Sequence, residues 1–159
     1  MGTLQHELHM SKPFSSPRLE AFLGLVRTAD RLARLSDAIL GPYDLSTTQY
    51  NILRILRGAA DEGLPVGAIG ERLVTRDPDV TRLIDRLERR GLVTRNRSAA
   101  DRRVVLVTLS EAGRTLVDSI PMDDAMDQVL APHFVSFTTA ELSLFITLCD
   151  RIRAAPTQG

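Results

Sequence analysis

Val80, Leu83, Ile84 and Leu87 recur three or four positions apart, and at about 100° per residue this spacing gathers them into one apolar stripe along a helix. Pro78, Arg82, Asp85 and Arg89 fall roughly opposite, with Thr81 and Arg86 on the flanks, so the outward face carries guanidinium groups. Asp77 before Pro78 predicts the start of this helix: a side-chain acceptor at the N-cap, then a residue whose missing N–H costs nothing in the first turn. Gly91 predicts its end, as the left-handed residue that closes many helices, and Arg89 and Arg90 stand where the helix dipole favours cations.

Beyond Gly91 the period changes. Leu92, Val93 and Thr94 begin one strand, and Val104, Val105, Leu106, Val107, Thr108 and Leu109 return as a β-branched run. The polar tip between them, Arg95 to Arg103, holds Arg95, Arg97, Arg102 and Arg103 with Asn96, Ser98 and Asp101. An isolated hairpin tip buries nothing that requires so many arginines. Contact with phosphates, or insertion into a minor groove, explains them. A helix, a glycine and a basic hairpin in that order are the layout of a winged helix.

The same patterning organises the rest of the chain. Residues 1–17 show no sustained period and are expected to form a loosely ordered arm. From Arg18, the residues Leu19, Phe22, Leu23, Val26, Ala29, Leu32, Ala33 and Ile39 predict a helix of about 22 residues, about 33 Å long, ended by Gly41 and Pro42. Ser46 with Gln49 forms a capping box opening a second helix that ends near Gly58, and residues 58–65 are rich in turn signals. Val66 to Leu73 forms a short third helix, and a tight link at Val74 to Arg76 leads to the arginine-rich helix, completing a helix-turn-helix. Ser110 caps a helix that Pro121 must interrupt, and Thr138 with Glu141 opens a last one through Leu142, Phe145, Leu148 and Ile152.

The expected fold is therefore mainly α with a small β-wing. A winged helix-turn-helix at 45–109 is flanked by long dimerisation helices at 18–44 and 110–159. The flanking stripes need cover that the winged part does not require, so a C2 homodimer is expected, with Leu19, Phe22, Leu142, Phe145, Leu148 and Ile152 at its interface.

Charge sharpens the functional reading. The 159-residue chain is formally neutral, yet residues 72–103 hold ten arginines against five acidic residues, a local excess of +5 that the remainder balances. One surface is thus built for a polyanion. A hydrophobic share of 43% with 25% charged residues is ordinary for a globular protein, and no apolar run reaches the roughly 18 residues that would span a bilayer. With no signal-peptide layout, a cytoplasmic location without membrane association is expected.

Other chemistry finds little support. Cys149 excludes an internal disulfide; a buried structural thiol is favoured over a redox-sensing one, which remains an alternative. His6 and His9 stand three apart without further ligands, so no metal site and no cofactor are expected. No phosphate loop or nucleophile–base pair suggests an enzyme.

The stretch VTRLIDRLERRGLV from Val80 to Val93, with Asp101-Arg102-Arg103 and LSEAG from Leu109 to Gly113, resembles the MarR family of bacterial transcription regulators. The resemblance covers residues 45–113 strongly and the flanking helices weakly. It implies a dimeric winged-helix repressor or activator, with a repressor on a pseudo-palindromic operator as the leading expectation, whose DNA affinity often falls when a small, frequently aromatic or anionic, ligand binds between the dimerisation and DNA-binding parts. It also implies that the arginine-rich helix lies in the major groove of double-stranded DNA and the wing in the minor groove, with Asp101 orienting Arg103. Asp77-Pro78-Asp79 departs from the serine, threonine and small residues of many relatives, and two carboxylates near phosphates call for neutralisation by Arg76 or Arg82.

The expected DNA contacts are Thr75, Arg76, Asp77, Pro78, Asp79, Thr81, Arg82 and Arg86 around the helix, and Arg95, Arg97, Ser98, Asp101, Arg102 and Arg103 in the wing. Candidate effector-pocket residues are Phe22, Val26, Arg27, Tyr43 and Tyr50. The competing function is a winged-helix protein-interaction module without DNA binding.

Overall fold

The structure, a computed structural model, describes residues 3–59, 62–75 and 77–156. Two compact units divide the chain, residues 1–122 and 123–159.

In the first unit a short α1 (Thr3–Glu7) precedes the long α2 (Pro17–Leu40), whose N-cap Ser16 accepts from the Leu19 N–H at 3.2 Å. The amino-terminal arm expected to be loose thus contains a turn of helix, with Gln5 buried and Leu4 beside Gly24 of α2. A single 3-10 turn, Gly41–Tyr43, closes α2 and leaves Asp44 left-handed at φ 51°. The Ser46–Gln49 capping box then opens α3 (Thr47–Arg57) with both of its reciprocal hydrogen bonds formed.

Next come β1 (Leu64–Pro65), α4 (Val66–Arg72), α5 (Val80–Arg89), β2 (Val93–Arg97), β3 (Val105–Leu109) and α6 (Glu111–Ser119). The sheet is antiparallel in the order β1-β3-β2, with Leu64 opposite Val107 and Arg97 opposite Val105. Leu64 and Pro65 lie in the segment whose turn signals predict only a connection. They instead form a third strand, because β3 offers its other edge to them, a pairing that no local pattern records. Leu40, Ile52, Leu53, Ile69, Ile84, Leu87, Val93 and Val107 are fully buried and join the helices to the sheet in one core.

Helix α6 departs from the expected division of the chain, which assigns residues 110–159 to the dimerisation region. It belongs to the first unit, where it packs on α3 and where Arg57 donates to both carboxylate oxygens of Asp118 at 2.9 and 3.2 Å. That hydrogen bond, with the charges of Arg57 and Arg114, holds the Asp118 carboxyl below the ordinary carboxylate range.

Pro121 interrupts the helical run as its chemistry requires, separating α6 from α7 (Met122–Phe134). In the second unit Phe134 and Phe137 meet edge to face with ring centroids 5.6 Å apart. The Thr138–Glu141 capping box opens α8 (Thr139–Ala154). No single helix is long and apolar enough to cross a membrane among the described residues.

Candidate nucleic-acid interface

The arginine-rich helix begins later than its sequence signals indicate. Asp77 Oδ1 accepts the Asp79 N–H at 2.8 Å, closing an Asx turn that keeps residues 77–79 outside the helix and leaves Asp79 as the N-cap. Asp79 does not cap through its side chain, since its carboxylate takes the Arg82 guanidinium at 3.1 Å. One of the two carboxylates is thereby neutralised within the chain. Arg76, the other expected partner, lies outside the described residues. The carboxyl end follows the sequence signals closely. Gly91, at φ 69°, donates to the Glu88 carbonyl at 2.8 Å and Leu92 to that of Leu87 at 3.0 Å, a Schellman closure.

Val80, Ile84 and Leu87 are buried, while Thr81, Arg82, Arg86 and Arg89 are exposed together with Val74, Thr75 and Pro78. The outward guanidinium face therefore exists as expected. Within it Asp85 gives its carboxylate to Arg95, and Arg89 Nε donates to the Asp85 backbone carbonyl at 3.4 Å.

Arg95 requires a correction. It sits on β2, not in the tip, and its guanidinium reaches Asp85 and Glu88 of α5, each at 2.5 Å. Its side chain is only 24% exposed. Burial alone would lower its pKa, but the hydrogen bonds and charges of the two carboxylates outweigh this and raise it. Arg95 ties the strand to the helix and has no guanidinium left for a phosphate. Arg97 likewise belongs to β2, at its outer end opposite Val105.

The tip itself is a braced turn. Ser98 N–H donates to the Val104 carbonyl and Val104 N–H to that of Asp101, both at 2.9 Å. The Ser98 hydroxyl accepts from the N–H groups of Ala100 at 3.2 Å and Asp101 at 3.4 Å, so Ser98 is spent on the turn. Asp101 Oδ1 accepts the Arg103 backbone N–H at 2.9 Å. Asp101 thus orients Arg103 through its main chain. The guanidinium groups of Arg97, Arg102 and Arg103 are exposed and make no hydrogen bond or ion pair among the described residues.

The LSEAG segment supports this wing from below. The Ser110 hydroxyl donates to the Gly91 carbonyl at 2.6 Å and accepts the Gly113 N–H at 2.9 Å, while Ser110 N–H donates to the Leu92 carbonyl at 3.0 Å. One serine thereby fixes the start of α6 to the end of α5.

The expected effector pocket is not assembled within the chain. The α2 helix runs unbroken from Phe22 to Leu40, about 27 Å at the usual rise, so Phe22, Val26 and Arg27 stand far from Tyr43. Phe22 is 60% exposed, whereas Tyr50 is buried. Asp30, one turn along α2 from Arg27, pairs with Arg34 at 2.6 Å. What the chain does form is a cleft of about 410 Å3 lined by Asp44, Gln49, Arg86, Arg89 and Arg90. Its cationic wall comes from the carboxyl half of α5 and its far wall from the corner between α2 and α3. No local sequence signal connects those segments.

The expected interface residues are uncovered in the single chain. Leu19 and Phe22 on α2 are exposed beside Leu25 and Val26, and Phe145, Leu148 and Ile152 on α8 are exposed beside Leu144 and Ile146, with Leu142 partly so. Cys149, expected to be buried, is half-buried, because the α8 face that carries it is uncovered.

Comparison with known proteins bears on this geometry. A family model described as the MarR family matches residues 43–104, the span from the turn after α2 to the tip of the wing. A MarR transcription factor from Planctomyces limnophilus has a solved structure of TM-score 0.64 and 38% identity, covering 87% of this chain and 98% of that one. The chain belongs to the MarR family of transcription regulators. The transcriptional regulator HosA of Escherichia coli O157:H7 is 34% identical over 111 residues, 69% of this chain and 78% of its own. BpsR of Bordetella bronchiseptica, whose DNA binding is described as regulated by 6-hydroxynicotinic acid, is 25% identical with a TM-score of 0.70, covering 84% of this chain and 98% of that one.

Proposed function

We propose that this MarR-family chain is a homodimeric, ligand-responsive repressor that binds a pseudo-palindromic operator in the cytoplasm. Helix α5 occupies the major groove, with Thr75, Thr81 and Arg82 at its leading end, and the wing reaches the minor groove through Arg97, Arg102 and Arg103. The observation that carries this reading is the division of labour among the wing arginines. Arg95 is consumed by Asp85 and Glu88, whereas the guanidinium groups of Arg97 at the outer end of β2 and of Arg102 and Arg103 on the braced turn are exposed, without partners among the described residues. Folding does not account for those three, and a phosphate backbone does.

A second copy supplies cover for the apolar faces of α2 and α8. The cationic cleft favours an anionic effector, whose occupancy would neutralise Arg86 and Arg89 on the reading helix. Selection of bound duplexes from a random pool, repeated with aromatic acids added, tests the reading as a whole. A recovered palindromic motif whose retention falls with an acid supports it; failure to enrich any duplex refutes it. Sedimentation at micromolar concentration is expected to give the dimer, and a monomer would refute that part.

A further inference from the structure

Arg90 is the last cation of α5, and a count of charges would assign it to a phosphate. Its geometry does otherwise. The guanidinium turns back across the fold and donates through Nη1 to the Asp44 carbonyl and through Nη2 to the Tyr43 carbonyl at 3.1 Å, a contact between residues 46 and 47 positions apart. The Asp44 carboxylate stands 3.8 Å from Nη1.

Those two carbonyls belong to the elbow where α2 turns into α3. Asp44 holds φ 51° and ψ 46°, a left-handed conformation uncommon for any residue with a Cβ. Its N–H donates to the Gly41 carbonyl at 3.0 Å, and Leu40 and Leu45 on either side of the elbow are buried. A planar cation with two parallel donors fixes such an elbow in both distance and angle, which an ammonium cannot do. On one side of the clamp is the Schellman end of α5; on the other is α2, with its exposed apolar residues Leu19, Phe22 and Val26.

Resting on the DNA-binding reading above, we infer that Arg90 is a positioning residue that sets the angle between the reading helix and the dimer-forming helix α2, and so the half-site spacing that the dimer accepts. In a dimer each reading helix must meet its half-site about one helical turn of DNA from the other, and one base pair of error displaces it by about 3.4 Å and rotates it by about 36°. A stiff joint converts that error into lost affinity; a loose joint absorbs it.

The test measures binding of the full chain to the selected operator and to versions with one or two base pairs added or removed between half-sites, over a range of salt concentrations. The wild type is expected to prefer one spacing sharply. Arg90→Gln is expected to lose about tenfold at that spacing, within the range by which residues touching neither partner modulate coupling, and to bind all spacings more evenly. Its salt slope is expected to stay that of the wild type, since no phosphate contact is removed. Arg90→Lys, which reaches one carbonyl, is expected to recover part of the preference. Asp44→Gly is expected to keep the wild-type profile, because both acceptors are main-chain atoms.

Both elbow carbonyls are at a surface that water can reach, so the variants are expected to fold, which thermal unfolding checks; were Arg90→Gln to fail, Arg90→Lys carries the same comparison. Arg90→Gln with the wild-type spacing profile overturns the inference. So does a slope reduced by about 0.9 per site, which would make Arg90 a phosphate contact. A wild-type chain that binds no duplex overturns the regulatory reading and this inference with it.

Discussion

Gly113 of α6 and Leu92 at the start of the wing meet backbone to backbone, so closely that a Cβ on Gly113 would overlap the Leu92 carbonyl oxygen and come within 2.9 Å of its carbon. The glycine in the LSEAG segment is therefore a packing requirement, and the hydrogen bonds of Ser110 to Gly91 and Gly113 close the same joint. Gly113→Ala is expected to destabilise the chain by about 2–3 kcal/mol despite the better helix propensity of alanine, since backbone cannot move aside as a side chain can. Chemical denaturation checks it, and a neutral or stabilising result would contradict the close approach.

Arg95 and the outer wing arginines are expected to separate in two measurements. Arg95→Met leaves Asp85 and Glu88 side by side without a cation and is expected to cost about 1–2 kcal/mol of stability, discounted because both carboxylates are more than a third exposed. Its direct effect on the salt slope of DNA binding is expected to be nil. A slope change at unaltered stability would return Arg95 to the DNA surface.

The Arg57–Asp118 pair gives a pH dependence of definite sign. Asp118 has a carboxyl pKa lowered by the Arg57 hydrogen bond, so the stabilisation is complete above the ordinary carboxylate range and is lost as pH falls through the lowered value. Asp118→Asn is expected to be less stable than the wild type at neutral pH and to converge with it in acid. Unfolding curves collected from neutral to strongly acidic pH check this. A gap that widens in acid would contradict it.

Much of this fold could be read locally, and what could not be read is non-local. The capping boxes at Ser46–Gln49 and Thr138–Glu141, the closure at Gly91 and the break at Pro121 depend on residues within a few positions of one another, and each forms as its chemistry indicates. Helix α5 starts two residues later than Asp77-Pro78 indicates because two acceptors, Asp77 and Asp79, compete there, and Asp77 spends its carboxylate on a turn. The pairing of Leu64 with Val107, the capture of Arg95 by Asp85 and Glu88 and the reach of Arg90 to Tyr43 join segments that only the tertiary fold brings together. The same limit explains the effector candidates: Phe22 and Tyr43 share an apolar, aromatic chemistry but stand at opposite ends of one helical run.

The most direct test of the account is the salt dependence of duplex binding by the wild type and by the Arg103→Ala variant, with thermal unfolding of both. The expected result is a log K against log salt slope less steep by about 0.9 for each phosphate contact removed, with unfolding unchanged. An unaltered slope and affinity in the variant would contradict the claim that the exposed wing arginines hold the nucleic-acid backbone.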